Sequence, residues 1–307
     1  MSTTETFSPR RISCIINPNA ANRRWRRNRL LRWYLQNRLP GRIYDDSRNR
    51  DQTVETVRRL CRDNDIIIAA GGDGTISDVI QGILDSGRAG EVALGILPFG
   101  SGNAFRIALG IPLNIGRAIR IIEEGRPKHI DLIDFGGRVA TFGSIGATAQ
   151  VLVEKLKHPT PGLVGHVLAS RIMLKLAQKE QEVELFEGLD ERNQPFEHRS
   201  LKLKVFDAYI GKTNHFGYGW TIAPEARIDD GYIDITFFEI SNWKYMLYFP
   251  SIYFGHFQKT QRHFKARRIV FRGNDLPAQY NGELLGKLNH IELKILPKAI
   301  QVITPLN

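Results

Sequence analysis

A glycine-rich turn, Gly71–Thr75, separates an apolar segment at 65–70 from a segment whose apolar residues recur at helical spacing. This order predicts a buried strand, a tight turn and a helix. The same order recurs one strand later, where an apolar segment at 92–97 leads into a second glycine-rich turn at 98–103 and a short helical segment. Strands that alternate with helices predict a parallel α/β sheet over roughly residues 10–130.

The same region begins with another strand and helix. The apolar segment 12–16 predicts the first strand, and a helix is predicted to follow from about Arg24 to Asn37. After residue 131 short alternating strands and turns predominate, which favours antiparallel pairing with one solvated face. Two apolar stretches, 163–180 and 241–258, are predicted to form helices within this β-rich part.

Charge and composition exclude several classes of protein. The 307 residues include 43 Lys or Arg and 32 Asp or Glu, so the formal net charge is +11, which suits nucleic acid, an anionic membrane or a nucleotide. The sequence contains no nucleic-acid-reading motif, and we therefore expect no nucleic-acid partner. A membrane-spanning helix needs about 18 consecutive uncharged apolar residues, and no segment of the sequence is that long, so we expect no transmembrane span. The N-terminus lacks the pattern of a secretory signal, so we expect a cytoplasmic protein.

The two glycine turns have the chemistry of a phosphate site. Glycine lets the main chain approach a ligand closely, and the start of a helix presents N–H groups to an anion. Asp73 would repel a phosphate in direct contact, so we expect it to face Mg²⁺ or a ribose instead. Both turns would lie at the edge where open α/β sheets bind ligands. From local spacing alone, a structural turn with an Asp cap is the alternative.

A set of short motifs occurs in a fixed order along the chain. They are Asn17-Pro18, GGDGT at 71–75, PFGSGN at 98–103, Ile130-Asp131, Ala223–Ala226 followed by Asp229–Gly231, and Gly282-Glu283. In this order they resemble the diacylglycerol-kinase-like lipid kinases, a family that includes bacterial lipid kinases and the sphingosine kinases. The resemblance extends over nearly the whole chain.

This resemblance implies a fold and an activity. The activity would be an ATP- and Mg²⁺-dependent transfer of the ATP γ-phosphate to a hydroxyl of diacylglycerol or of a sphingoid or ceramide-like lipid, with the active site in the cleft between two domains. The expected parts are an α/β ATP-binding domain with a parallel sheet at 8–132, a β-rich, antiparallel sandwich-like lipid-substrate domain at 133–290, and a C-terminal segment at 291–307 that returns towards the first domain.

The resemblance also implies the ligand-binding residues. ATP is expected to contact Asn17, Pro18, Gly71, Gly72, Asp73, Gly74, Thr75, Gly100, Ser101, Gly102 and Asn103. A Mg²⁺ ion is expected at Arg227, Asp230 and Tyr232, where the first and last would contribute main-chain carbonyls and Asp230 its carboxylate. From the residues alone, the turn Asp229-Asp230-Gly231 suits either a hard cation or an ordinary hairpin.

The expected catalytic residues are Asp73, Asn281 and Glu283. Family members carry Asp-Gly-Glu near the C-terminus, whereas this chain has Asn281-Gly282-Glu283. An amide cannot accept a proton as a carboxylate can, so we expect Glu283 to be the proton acceptor.

Two alternatives are open: a non-catalytic lipid or nucleotide sensor of the same fold, suggested by Asn281, and an NAD kinase, which shares the GGDGT motif.

Two stretches suit a lipid surface. Six arginines lie in the segment from Arg23 to Arg32, with Trp25 and Leu30 between them and Trp33 directly after them. Such a helix could contact an anionic membrane peripherally, with an ordinary solvated basic face as the alternative. The aromatic segment 243–254 could line an acyl-chain pocket, reach the interface, or simply pack in a core. The oligomeric state stays open, and a homodimer is compatible with the sequence.

Overall fold

The computed structural model describes residues 11–18, 25–39, 41–44, 49–100, 104–157, 162–216 and 219–306. In chain order its strands are β1 (Ile12–Ile16), β2 (Arg42–Tyr44), β3 (Ile66–Gly71), β4 (Ala93–Pro98), β5 (Arg126–Phe135), β6 (Val139–Ala140), β7 (Phe142–Gly146), β8 (Lys179–Leu189), β9 (Pro195–Val205), β10 (Asp207–Gly211), β11 (His215–Phe216), β12 (Trp220–Thr221), β13 (Ile233–Phe238), β14 (Arg262–Tyr280) and β15 (Glu283–Thr304).

The α-helices, also in chain order, are α1 (Arg29–Arg38), α2 (Arg50–Leu60), α3 (Asp73–Asp85), α4 (Ala104–Ala108), α5 (Ile115–Glu124), α6 (Ala147–Lys157), α7 (Gly162–Ser170), α8 (Asn242–Leu247) and α9 (Phe249–Tyr253). Two 3₁₀ helices are η1 (Arg171–Lys175) and η2 (Phe257–Thr260).

The chain divides into two compact units. Unit 1 comprises the described residues up to Gly100, the segment Gly110–His129, and the residues from Ala299 onward. Unit 2 comprises the described residues 104–109 and the segment Ile130–Lys298. The helix that follows the second glycine turn therefore belongs to unit 2, and the chain re-enters unit 1 at residue 299.

The sheet of unit 1 is parallel. Strand β1 pairs with β2 and β3, β3 pairs with β4, and β4 pairs with the end of β15 through Gln301 and Val302. Strands β1, β3 and β4 are buried along their whole length, as is typical of a parallel sheet covered on both faces. Because the strands run in one direction, the carboxyl ends of β1, β3 and β4 lie at the same edge of the sheet.

Helix packing in unit 1 depends on particular small or capping residues. Gly82 lets α3 approach α2 closely, since a Cβ there would lie 2.6 Å from the Cβ of Val57.

The prediction of one helix from Arg24 to Asn37 is wrong within the described residues. Asn28 is extended, and its side chain accepts the N–H of Leu31 at 2.9 Å, so a new helix, α1, begins after it. Arg24 lies outside the described residues.

Unit 2 is built on antiparallel strands, as predicted for the β-rich part of the chain. Its longest pairings join β14 to β15 and to β8. The first residues of β14 also pair with β13, its last residues pair with β7, and β10 lies between β7 and β13. These four strands therefore close a circuit around a core that includes Ile210, Phe237, Phe271 and Leu293.

The helices of unit 2 pack over a second core. This core contains Phe142, Tyr209, Phe238 and Tyr245. The two long helices predicted at 163–180 and 241–258 are both wrong as single elements. The first ends at residue 170 and continues as η1, and the second is divided because Pro250 lies at the start of a new helix, α9. Within the described ranges, no helix combines the length and the apolar character needed to cross a bilayer.

Candidate active site

The carboxyl end of β1 is bonded to the first glycine turn. The main-chain N–H of Asn17 donates to the carbonyl of Ala70 at 3.0 Å, and Nδ2 of the same residue donates to Oγ1 of Thr75 at 3.1 Å. Asn17 therefore connects the end of β1 with the end of β3 and with the first turn of α3. Pro18, which follows it, is buried.

The two glycine turns are bonded to each other. The main-chain N–H groups of Phe99 and Gly100 both donate to the carbonyl of Gly71, at 3.1 and 2.9 Å. A Cβ at Gly71 would lie 2.4 Å from Oγ1 of Thr75, and a Cβ at Gly72 would lie 3.2 Å from Cα of Gly100. A larger residue at Gly71 would therefore collide with Thr75, and one at Gly72 would press against the second turn.

The start of α3 has the character of an anion site. Its N-cap is Gly72, which offers no side-chain oxygen, and Asp73 is the first helical residue. Gly72, Asp73 and Gly74 are partly exposed, whereas Gly71 and Thr75 are buried. The first N–H groups of a helix have no partner inside the helix, and its positive end attracts negative charge. The start of α3 therefore suits the phosphates of ATP. The predicted contacts Ser101, Gly102 and Asn103 lie outside the described residues.

Two of the three expected catalytic residues, Asn281 and Glu283, lie in unit 2 at the hairpin between β14 and β15, whose two turn residues are Asn281 and Gly282. Asn281 and Gly282 have φ values of +47° and +82°, and Tyr280 pairs with Glu283 across the turn. Positive φ at both central positions defines a type I′ turn, in which Asn-Gly is a preferred pair. The amide at position 281 is therefore compatible with the turn.

The side chain of Asn281 is buried and bonded to the segment 139–142. Its Oδ1 accepts from the main-chain N–H and the hydroxyl of Thr141, at 2.9 and 3.1 Å, and from the N–H of Phe142 at 3.3 Å. Its Nδ2 donates to the carbonyl of Val139 at 3.2 Å. Because this last bond needs an N–H donor, an ionised carboxylate could not reproduce it. Asn281 thus positions the turn.

Glu283 lies at the partly exposed end of the same turn. Its Oε2 accepts the hydroxyl of Tyr280 at 3.0 Å, and Tyr280 is only 4% exposed. The Glu283 carboxylate is thus oriented by a buried phenol, while its side chain keeps access to solvent. This geometry suits a group that exchanges a proton with a bound hydroxyl.

A buried chain of hydrogen bonds lies behind the turn. The N–H of Gly282 donates to Oε1 of Gln279 at 3.0 Å, and Nε2 of Gln279 donates to the hydroxyl of Ser144 at 3.0 Å. The hydroxyls of Ser144 and Thr148 lie 2.5 Å apart, and that of Thr148 contacts both carboxylate oxygens of Asp207. Burial raises the pKa of Asp207 to about 7, although hydrogen bonds from Thr148 oppose the rise.

Two ammonium groups from outside the loop contact the residues expected to hold Mg²⁺. Nζ of Lys212 lies 2.5 Å from Oδ1 of Asp230 and also donates to the carbonyl of Tyr232, and Nζ of Lys265 lies 2.6 Å from Oδ2 of Asp230. Burial would raise the pKa of Asp230, but the bonds from both lysines outweigh it and lower this pKa below its ordinary value. Arg227 is exposed. As arranged in this structure, these residues do not fit a metal ion.

The part of the chain that the structure describes has no group of three or more His, Cys, Asp or Glu side chains arranged to hold a metal ion.

Sequence reasoning missed Lys212 and gave Asp131 no role. Their partners lie far away in the sequence, so no local spacing could reveal Lys212. Asp131 belongs to the quoted Ile130-Asp131 motif, which was the available signal for it.

Comparisons with known proteins agree with this architecture. Residues 11–135 match the diacylglycerol kinase catalytic domain, and residues 182–304 match the YegS C-terminal NAD kinase beta sandwich-like domain. A diacylglycerol kinase of Staphylococcus saprophyticus is 27% identical over 265 residues, which make up 83% of this chain and 82% of that protein. One of Staphylococcus haemolyticus is 27% identical over 275 residues, 85% of this chain and 78% of that protein.

A solved structure has the same fold. The crystal structure of a diacylglycerol kinase from Bacillus anthracis superposes with a TM-score of 0.71 at 21% identity, covering 96% of this chain and 97% of that one. The fold and the matched domains together define a kinase that acts on lipids. Over most of its length the chain is similar to the diacylglycerol-kinase-like lipid kinases, and similarity to a kinase family implies ATP as the phosphate donor.

Proposed function

We propose that this protein transfers the γ-phosphate of ATP, with Mg²⁺, to a hydroxyl of a membrane lipid. The observation that carries the proposal is the bonded pair of glycine turns at the start of α3, where the helix begins at a partly exposed Gly72 that has no side chain to cover its first N–H groups. The relatives named as diacylglycerol kinases make diacylglycerol the first acceptor to test. A sphingoid or ceramide-like lipid is the second.

In this proposal unit 1 holds the nucleotide. The main-chain N–H groups at the start of α3 bind phosphate oxygens, and Asn17 keeps Thr75 and the first turn in place. Asp73, partly buried at the first helical position, is the residue proposed to hold the Mg²⁺ that accompanies ATP. When bound, that ion would neutralise charge on the β- and γ-phosphates.

Unit 2 supplies the proton acceptor in this proposal. The Glu283 carboxylate, oriented by the Tyr280 hydroxyl, takes the proton of the lipid hydroxyl as that oxygen attacks the γ-phosphate, whose bond to the β-phosphate oxygen breaks so that ADP leaves. Phosphoryl transfer passes through a loose transition state, so positioning and electrostatic stabilisation contribute most of the catalysis. Asn281 contributes by fixing the turn on which Glu283 lies.

A lipid kinase must reach a membrane, and each unit has an exposed surface suited to one. On α1 and the residues before it, Leu30 and Trp33 are 79% and 64% exposed beside arginines. In unit 2, helices α7 to α9 with η1 expose a set of large apolar side chains: Val164, Val167, Leu168, Leu174, Trp243, Leu247, Tyr248 and Phe254.

The charges around the unit 2 surface favour an anionic bilayer as its partner. Arg171, Lys175 and Lys244 are exposed among its apolar side chains. The segments 147–178 and 241–262 contain a single acidic residue, Glu154. Exposed apolar patches of this kind mark interaction sites, and basic residues near an anionic membrane each add about 1 kcal/mol. We therefore propose contact through this surface, with a contribution from α1.

Vesicle flotation of the full chain tests the membrane contact without requiring activity. Vesicles of phosphatidylcholine with phosphatidylserine should carry the wild type to the top of the gradient. The double variants Trp243→Ser/Leu247→Ser and Leu30→Ser/Trp33→Ser measure the share of each surface, with Lys204→Ser on exposed β9 as the control. Flotation that neither double variant weakens would contradict the proposal.

Phosphoryl transfer itself is tested with γ-labelled ATP and mixed micelles that contain one acceptor at a time. The panel is diacylglycerol, monoacylglycerol, sphingosine and ceramide, with NAD as a separate acceptor. One labelled lipid would support the proposal and identify the acceptor class. Labelled NADP would favour the NAD kinase alternative, and ATP binding without any labelled product would favour the sensor.

A further inference from the structure

The buried ammonium group of Lys212 contacts oxygens that the resemblance assigns to Mg²⁺. Lys212 directly follows β10, and its side chain is 1% exposed. Its Nζ donates to Oδ1 of Asp230 at 2.5 Å and to the main-chain carbonyl of Tyr232. Two of the three expected metal ligands are therefore the hydrogen-bond acceptors of a lysine.

A third oxygen completes the surroundings of this ammonium group. Oδ2 of Asp131 lies 3.3 Å from Nζ of Lys212, and Asp131 is 2% exposed. An ammonium group has three N–H donors, so the three oxygens match its donor count. Asp131 also accepts the N–H of Gly231 at 2.7 Å and that of Lys298 at 2.9 Å. The carboxylate thus links the ammonium group to the loop and to β15.

The second oxygen of Asp230 is also engaged. Nζ of Lys265 lies 2.6 Å from Oδ2 of Asp230 and 3.6 Å from Oδ1 of Asp234, a fully buried carboxylate. A Mg²⁺ ion would approach its oxygen ligands to about 2.1 Å. At that distance from the Asp230 carboxylate it would be close to two ammonium groups, which would repel it.

We propose that the Lys212 ammonium takes the position of the divalent cation in this loop, so that unit 2 is held by an internal ion cluster and needs no metal there. The cluster consists of Asp131, Lys212, Asp230, Lys265 and Asp234. Nε2 of His263 also lies 3.2 Å from Oδ1 of Asp234. The stabilising charge is part of the chain and does not depend on the Mg²⁺ concentration, whereas the stabilisation from a bound ion increases with the ratio of its free concentration to its Kd. The proposal is independent of kinase activity and of any Mg²⁺ bound with ATP.

Thermal unfolding of the nucleotide-free full chain gives the first test. The wild type should have the same Tm in EDTA and in excess MgCl₂, and Asp73→Asn should behave in the same way. A rise in Tm with Mg²⁺ that Asp230→Asn abolishes and Asp73→Asn retains would overturn the proposal, because it would locate a metal site in this loop.

Removing the ammonium group gives the second test. Lys212→Met leaves the Asp131 and Asp230 carboxylates without this cation, so Tm in EDTA should fall by roughly 10 °C. Mg²⁺ should restore part of this loss, and the added substitution Asp230→Asn should abolish the recovery. Lys204→Met, at an exposed lysine of β9, is the matched control.

Two outcomes of this second test would overturn the proposal. One is a Lys212→Met protein as stable in EDTA as the Lys204→Met control, and the other is a destabilised protein that Mg²⁺ does not stabilise at all. If Lys212→Met yields no folded protein, the wild-type comparison in EDTA and MgCl₂ decides by itself.

Discussion

Oδ1 of Asn281 accepts the main-chain N–H of Thr141 at 2.9 Å, across 140 residues of sequence. This bond holds the hairpin turn that carries Glu283 against the segment before β7. The departure from the family's Asp-Gly-Glu pattern therefore occurs at a buried structural position. We propose that Asn281 positions the turn and that Glu283 accepts the proton.

Restoring the family residue should not improve this protein. In Asn281→Asp, an ionised oxygen would face the carbonyl of Val139, where Nδ2 now donates. We expect a loss of about 1–3 kcal/mol in the free energy of unfolding and no gain in kcat. Denaturant unfolding at neutral pH measures the loss, which should shrink as the pH falls and the carboxyl gains a proton that it can donate.

Asn289→Asp is the control for that experiment. Asn289 is exposed, and its Oδ1 accepts the N–H of Asp275 at 3.0 Å, a bond that a carboxylate can also make. A tenfold higher kcat in Asn281→Asp, with unchanged stability, would contradict the structural role of Asn281.

Glu283→Gln should slow the chemical step without weakening nucleotide binding. The substitution keeps the shape of the side chain and a contact for Tyr280, but it removes the proton acceptor. General-base catalysis typically contributes about 10²- to 10⁴-fold, and we expect a fall in kcat of that size. Single-turnover transfer measures the chemical step, and ATP titration measures binding. Glu292→Gln, on the same strand and paired with Arg268, is the control; a loss no larger than in that control would contradict the assignment.

Gly72→Ala should weaken ATP binding more than it affects stability. The backbone at Gly72 has φ of −95°, which alanine can adopt, but the added Cβ would lie 3.2 Å from Cα of Gly100. We expect the Kd for ATP to rise about tenfold, equivalent to about 1.4 kcal/mol. Calorimetric titration measures it, with Gly90→Ala as the control because nothing lies within 4 Å of a Cβ there. Equal affinity in the two variants would count against a phosphate site between the turns.

Asp207 should make the stability of the protein fall with rising pH. Burial raises the pKa of Asp207 to about 7 in the folded chain, from an ordinary value of 3.8. Between these pH values the folded state binds a proton that the unfolded state has lost, so the free energy of unfolding decreases with rising pH and levels off above about pH 7. Asp207→Asn should remove this contribution, and a series of Tm values from pH 4 to 8 measures it. An unchanged slope in the variant would contradict the raised pKa.

The local pattern of the sequence was sufficient for the strand–turn–helix units of unit 1. The segments predicted at 12–16, 65–70 and 92–97 match β1, β3 and β4 to within one residue at each end. These strands are buried on both faces, so each is a continuous apolar segment that can be recognised without knowing which strand it pairs with. The helices were predicted less well, because Asn28 and Pro250 act through capping and backbone restriction rather than through hydrophobic periodicity.

The candidate site was predictable only where it is local. The contacts within 71–75 follow from the glycine motif, whereas Lys212 contacts Asp230 through the pairing of distant strands. The sequence Asn281-Gly282 between two strand segments is itself a hairpin signal. The buried hydrogen bonds of Asn281 have no local sequence signal, because their partner Thr141 lies 140 residues away.

The most direct test of the central claim is the transfer of labelled γ-phosphate from ATP to diacylglycerol in mixed micelles by the wild type and by Asp73→Asn. The account predicts a labelled phospholipid with the wild type and loss of that product with Asp73→Asn, while Tm stays unchanged. ATP binding by the wild type without label in diacylglycerol, or in any other lipid of the panel, would contradict it.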